Sequence, residues 1–163
     1  MRILDIGGGL GVPNRPSQSA LDMAAVDARL AEFKAAHPRF ELWMEPGRYL
    51  VADAGVLLTT VTQLKDKGDV RYVGVNTGMN SLIRPALYGA WHEIINLTRL
   101  DAASTEVVNV VGPICESGDT LGHNRHLPTT QEGDVLLLAT AGAYGRAMSS
   151  HYNLRSPATE VVI

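Results

Sequence analysis

At Gly55 the sequence changes the kind of architecture it can support. Upstream, the run Arg2-Ile3-Leu4-Asp5-Ile6 enters three consecutive glycines, and a second apolar run over residues 40–44 ends at Glu45. Between them, Leu21, Ala24, Ala25, Ala28, Leu30, Ala31 and Phe33 are spaced as in one helix from Ser19 to about Ala36, which Pro38 stops. Strand, helix and strand, with glycine and Glu at the strand ends, make a βαβ unit. Downstream, the apolar runs at 56–62, 70–75, 106–111 and 135–138 are β-branched or leucine-rich. They are bounded by Gly, Pro, Asp or Asn and separated by turns rather than long helices, so they read as strands. The expected division falls near residue 53, with an α/β part over 1–53 and a β-rich domain over 54–163.

Composition narrows the function classes. A net charge of −3 gives no electrostatic case for nucleic acid, and no Lys/Arg run suggests a membrane surface. No apolar run approaches the ~18 residues of a membrane span, and no charged segment followed by an apolar core opens the chain as a secretory signal would. The single cysteine excludes an internal disulfide and suits a reducing compartment, so the expected location is the cytoplasm.

Five segments carry chemistry. Gly7, Gly8 and Gly9 let backbone N–H groups approach a phosphate without Cβ obstruction; a tight turn is the plainer use. The same stretch, Leu4-Asp5-Ile6-Gly7-Gly8-Gly9-Leu10-Gly11, fits the first motif of Rossmann-like S-adenosylmethionine methyltransferases. For that fold Glu45 arrives late and the chain then turns β-rich. Glu45-Pro46-Gly47-Arg48 sets a carboxylate of the buried kind and a guanidinium at one strand end, or else a capped turn with a surface ion pair. Arg84-Pro85-Ala86-Leu87-Tyr88, after Gly78-Met79-Asn80, offers a carboxylate-binding arginine, or a rim salt bridge with Tyr88 in the core. Cys115-Glu116-Ser117-Gly118-Asp119 follows a strand and so lies on a loop. A thiol with a reference pKa of about 8.5 is mostly protonated at neutral pH and can donate a proton. The plainer use is a small hydrophobe, and a zinc site of Cys115, Asp119, His123 and His126 is a further one by residue type. Ala141-Gly142-Ala143-Tyr144 places a phenol at the end of the last strand.

In this order the five segments resemble the C-terminal half of the diaminopimelate decarboxylases, pyridoxal-phosphate enzymes of the alanine-racemase-like fold, over nearly the whole chain. The resemblance implies the last strands of a pyridoxal-phosphate-binding (β/α)8 barrel followed by a mainly β domain. It implies pyridoxal 5′-phosphate held at Gly7, Gly8, Gly9, Glu45, Gly47, Arg48 and Tyr144, with Glu45 keeping the pyridine nitrogen protonated. It further implies substrate held by Arg48, Arg84, Tyr88, Glu116 and Tyr144, and Cys115 as the acid that protonates Cα after carbon dioxide leaves. Glu116 stands where ornithine and arginine decarboxylases carry Asp, which favours meso-diaminopimelate, converted to L-lysine, over those substrates. The family works as a homodimer whose active site is shared, the Cys-Glu loop coming from the partner subunit.

The pattern also has gaps. Lys34, Lys65 and Lys67 are the only lysines, read on a helix and on an Asp-Gly-bounded turn, and none matches the lysine to which the family's cofactor is attached. The histidine that stacks on the cofactor ring has no counterpart, and Asn76 stands where relatives commonly carry Asp. The expectation is a C-terminal fragment, inactive alone. The other readings are a decarboxylase of another basic amino acid, the methyltransferase, and a non-catalytic β module.

Overall fold

The computed structural model describes residues 1–163. β1 (Ile3–Asp5) and β2 (Glu41–Trp43) pair in parallel, Leu4 opposite Leu42, with α1 (Met23–Ala36) crossing between them. The expected βαβ unit is present with tighter limits. The helix starts at Met23 rather than Ser19 because Asp22 caps it, its carboxylate accepting the Ala25 N–H at 3.0 Å. His37 closes the other end one residue before Pro38, its N–H bonded to the Phe33 carbonyl at 2.9 Å. A short helix not foreseen in the sequence, α2 (Gly47–Val51), and a 3-10 turn over Ala52–Ala54 then lead out of the unit.

The rest is one six-stranded sheet. β3 (Leu57–Lys67), β4 (Val70–Val75), β5 (Ile94–Asn96), β6 (Glu106–Val111), β7 (Thr120–Leu127) and β8 (Val135–Leu138) lie in the order β5-β8-β3-β4-β6-β7. Only β4 and β6 run parallel. A single-turn helix, α3 (Arg84–Tyr88), stands between β4 and β5. Lys65 and Lys67 were expected on a turn. They instead prolong β3, paired with Tyr72 and Val70, because the reversal is made by Gly68 and Asp69 alone, with Gly68 at φ 60°. Strand no longer alternates with helix after β2, which removes the methyltransferase reading.

Alternation fixes the sheet's inner face. Val73 and Val75, Val108 and Val110, and Leu136 and Leu138 point inward at every second position, joined by Val61, Leu82, Ile94, Leu121 and Leu127. Each such side chain removed from water contributes roughly 1.5–3 kcal/mol. The sheet curls until its edges meet: a Cβ on Gly122 of β7 would stand 2.8 Å from the Ile94 Cδ1 of β5. The domain is therefore barrel-like, with the loops at its rim carrying the candidate side chains.

Candidate functional site

The glycine loop and the Glu45 segment are built against each other. The Glu45 N–H donates to the Gly7 carbonyl at 2.8 Å, and a Cβ on Gly8 would lie 2.3 Å from the Glu45 carbonyl oxygen, so no other residue fits there. Gly7 and Gly9 adopt φ of 70° and 86°, with open space where a Cβ would be. Gly7 N–H is bonded to the Asp5 carboxylate at 2.8 Å, whereas the N–H groups of Gly8 and Gly9 have no partner in the chain. Two unpartnered amides, with the Arg48 guanidinium following on α2, fit an anionic phosphate. Glu45 was expected to be of the buried kind; it is exposed, because the βαβ unit places nothing over it.

The far end of α2 is locked to the Tyr144 loop. Gly142 N–H donates to the Ala52 carbonyl at 2.9 Å and Ala141 N–H to the Gly55 carbonyl at 2.8 Å. A Cβ on Gly142 would overlap the Val51 carbonyl oxygen, 1.9 Å away. Tyr144 itself is exposed at φ 61°, and the Arg84 guanidinium carbon lies 5.9 Å from its ring centroid. Arg84 opens α3, where Pro85 suits the first turn and Gly89, at φ 61°, caps the end and sends the chain back. That reversal delivers His92, fully buried, against Arg84. Tyr88 lies on the exposed side of α3 rather than in the core.

Trp91 beside it carries two cations on its ring, Arg15 at 4.3 Å and Arg125 at 3.2 Å from the centroid. Arg15 thereby ties the segment after the glycine loop to the His92 segment. Burial pulls Arg125 down to about 10, with Glu93 opposing that shift and Arg15 adding to it.

Cys115 and Glu116 sit elsewhere, on the loop between β6 and β7. Asp119, the last residue of that motif, is buried and holds the loop in place. Its carboxylate accepts the Met79 N–H at 2.6 Å and the Ile114 N–H at 2.7 Å. A Cβ on Gly78 or Gly112 would stand 2.3 or 2.4 Å from its oxygens, which explains both glycines. Burial raises the Asp119 pKa, and the two N–H donors partly offset this. Because Asp119 faces inward while Cys115 is exposed, Cys115, Asp119, His123 and His126 do not converge as a metal site. The turn at Tyr152 and Asn153 braces the loop from outside. Asn153 Oδ1 accepts the Cys115 N–H at 2.7 Å, and the Tyr152 hydroxyl donates to Glu116 at 3.3 Å. The adjacent Glu116 charge raises the Tyr152 pKa, so the phenol keeps the proton it donates.

The structure thus joins Gly7, Gly8, Gly9 and Glu45, joins α2 to the Tyr144 loop, and brings Arg84 to Tyr144. No hydrogen bond or ion pair links Cys115 or Glu116 to any of these. A cavity of about 390 Å³ between the start of β3 and residues 157–163 is lined by none of the candidate side chains. His92, Tyr152 and Asn153 escaped the sequence reading, and Asp119 was read there only within the Cys115 motif and as a zinc ligand by residue type. The anchoring role of Asp119, like the roles of the other three residues, depends on contacts remote in sequence.

Residues 21–142 match the family model described as pyridoxal-dependent decarboxylase, C-terminal sheet domain. A diaminopimelate decarboxylase of Aquifex aeolicus (strain VF5) is 42% identical over 166 residues, covering 100% of this chain and 38% of the relative. The crystal structure of diaminopimelate decarboxylase from M. jannaschii in co-complex with L-lysine matches with a TM-score of 0.85 at 37% identity, over 96% of this chain and 37% of that one. A lysine decarboxylase structure from Selenomonas ruminantium matches at 0.83 and 26%, over 97% and 41%. The chain therefore spans less than half the length of these relatives.

Proposed function

From the premise that the chain belongs to the pyridoxal-dependent decarboxylase family, we propose that the protein containing it decarboxylates meso-2,6-diaminopimelate to L-lysine, with pyridoxal 5′-phosphate as cofactor. The observation that carries this reading is 42% identity to a diaminopimelate decarboxylase, sustained over 100% of this chain. Residues 1–53 then end a (β/α)8 barrel, which the parallel β1–β2 pair and its crossover helix support, and residues 54–163 are the β domain.

Bound pyridoxal phosphate supplies an electron sink for the pair left at Cα when the carboxylate departs. The free Gly8 and Gly9 amides, with Gly47, Arg48 and the Tyr144 hydroxyl, hold its phosphate, and Glu45 holds the proton on its ring nitrogen. Arg84 and Tyr88 take the distal carboxylate of the substrate, and Glu116 its distal ammonium. Cys115, an exposed thiol, delivers the proton to Cα. Since the Cys115 loop is bonded to none of the other groups, it acts best on the site of a second copy in a homodimer. No lysine stands at the glycine loop: Lys34 is tied to the carbonyls of Pro38 and Phe40, and Lys65 and Lys67 lie on β3. The chain alone is therefore inactive. No helix is long and apolar enough to cross a membrane, and the cytoplasm is the proposed location.

Carbon dioxide release by the full-length protein tests the reading. Meso-diaminopimelate should be turned over well ahead of ornithine or arginine, and the reverse order overturns the assignment.

A further inference from the structure

We propose that His92 is a positioning residue for substrate, acting as a neutral acceptor that aims the Arg84 guanidinium at the distal carboxylate. The inference rests on the reading of Arg84 given above. His92 is 0% exposed, between the glycine cap of α3 and the start of β5. Its Nδ1 lies 2.9 Å from the Ala139 carbonyl oxygen. A carbonyl only accepts, so Nδ1 carries the proton, and Nε2 is left with its lone pair. That lone pair is 3.4 Å from Arg84 Nη1, which can only donate. Both ring nitrogens are thus used, and the tautomer is set by a backbone group 47 residues away.

The charge of the ring follows from its surroundings. Burial lowers the His92 pKa, the Ala139 bond opposes, and the positive charges of Arg84 and Arg125 lower it further. An uncharged ring beside Arg84 adds no repulsion and takes none of its positive charge. Arg84 forms no salt bridge in the chain; its guanidinium meets this imidazole and lies near the Tyr144 ring. A guanidinium tied at Nη1 to a neutral acceptor still presents its remaining N–H groups as a fork for an incoming carboxylate. The other end of the His92 bridge is Ala139, where the loop to Tyr144 begins, so one ring sets the spacing between Arg84 and that loop.

Two variants divide the bridge. His92→Asn can keep a donor near the place of Nδ1 but is too short to offer an acceptor to Arg84. His92→Gln reaches the place of Nε2 with its amide oxygen. In the full-length enzyme loaded with pyridoxal phosphate, H92N should raise the KM for meso-diaminopimelate about tenfold, the size of one modest hydrogen bond. H92Q should stay within about twofold of the parent, inside the scatter of a neutral substitution. Inhibition by cadaverine, a diamine with no carboxylate, should not change in either, which separates aiming of Arg84 from general loss of structure. Arg84→Ala is the reference: if it leaves KM unchanged, the reading of Arg84 fails and His92 falls with it. If R84A raises KM but H92N does not, or if H92N weakens cadaverine equally, only the His92 inference is overturned. Should the variants not fold, nitrogen-15 NMR of the unaltered protein decides, since a His92 proton on Nε2 rather than Nδ1 is incompatible with the proposal.

Discussion

Residues 1–51 contribute no buried residue, whereas all 29 buried residues lie from Ala52 onward. The same kinds of apolar side chain occur in both regions, but only the second closes on itself. Its curled sheet buries one face, while the two-stranded parallel pair leaves Ile3 at 42% and Trp43 at 52% exposed. Parallel strands are ordinarily covered on both faces, and this pair has open edges as well. The contrast divides the candidate site too. Arg84, at the start of α3, and Tyr144, on the loop after β8, are anchored by His92 and by the Gly142–Ala52 contact, so their relative placement belongs to the β domain. The glycine loop, Glu45 and Arg48 are set by the exposed unit, so their placement depends on whatever flanks β1 and β2.

The largest expected effect tests that contrast directly. Leu136, 0% exposed on β8 between β5 and β3, should cost about 2–5 kcal/mol when replaced by alanine. Leu42, only half-buried on β2, should cost less than about 1 kcal/mol in the same chain, since little packing is lost. Chemical denaturation of the two variants gives the comparison. Equal losses would mean that the βαβ unit has a core of its own.

What the sequence disclosed follows the same line. The runs that became β4, β6 and β8 were legible because β-branched or leucine-rich residues recur between clear breakers. β7 was not, since Thr-Leu-Gly-His-Asn-Arg-His-Leu contains a glycine, two histidines and Asn124 at φ 50°, with register shifts against β6. β5 is only three residues long and is fixed by pairing with β8. In the site, the segments bearing Glu45, Cys115 and Tyr144 were each placed at a strand end or loop, but neither the short helix at Arg84 nor which segments meet was legible. That depends on contacts such as His92 to Ala139 and Asp119 to Met79, which join residues 47 and 40 positions apart. The exposure of Glu45 was missed because a strand-end carboxylate looks alike in sequence whether or not neighbouring strands cover it.

A smaller effect should appear on acidification. Burial pushes the Asp134 pKa up, but hydrogen bonds from Arg99 at 2.7 Å and from Asn96 and the Gln131 N–H, each at 2.9 Å, outweigh it and leave the carboxyl below 3.8. A lowered folded pKa means stability that is complete above the unfolded value and lost as pH falls through the folded one. Asp119 has the opposite sign: its raised pKa removes stability as pH climbs from 3.8 through the folded value. Asp134→Asn should cost about 1–3 kcal/mol at neutral pH, the range for bonds to a charged group. The gap between parent and variant should narrow as pH drops below 3.8. Melting curves across the acid range check this, and a constant gap would show that the pairing with Arg99 is not what sustains the domain.

The smallest effect is expected at Asn76, where the resemblance leads to an expectation of Asp. Asn76 lies just past β4, beside the irregularity in the β3–β4 register. Its Oδ1 accepts from the Thr59 hydroxyl at 2.7 Å and from the Thr60 N–H at 3.0 Å, while its Nδ2 bonds to nothing in the chain. The role is that of an acceptor alone, and a carboxylate has an oxygen to fill it. Asn76 is exposed, so the added charge stays hydrated and carries little desolvation cost. Asn76→Asp should therefore change stability by no more than about 0.5 kcal/mol, with any change favouring Asp because its bonds are charge-assisted. Asn76→Ala removes the acceptor, leaves the half-buried Thr60 amide without a partner, and should cost about 1 kcal/mol. Denaturant midpoints for the pair are decisive. If Asp cost as much as Ala, the amide nitrogen would be the working group, and the strand β3 would be held at this point by a different bond from the one its geometry indicates.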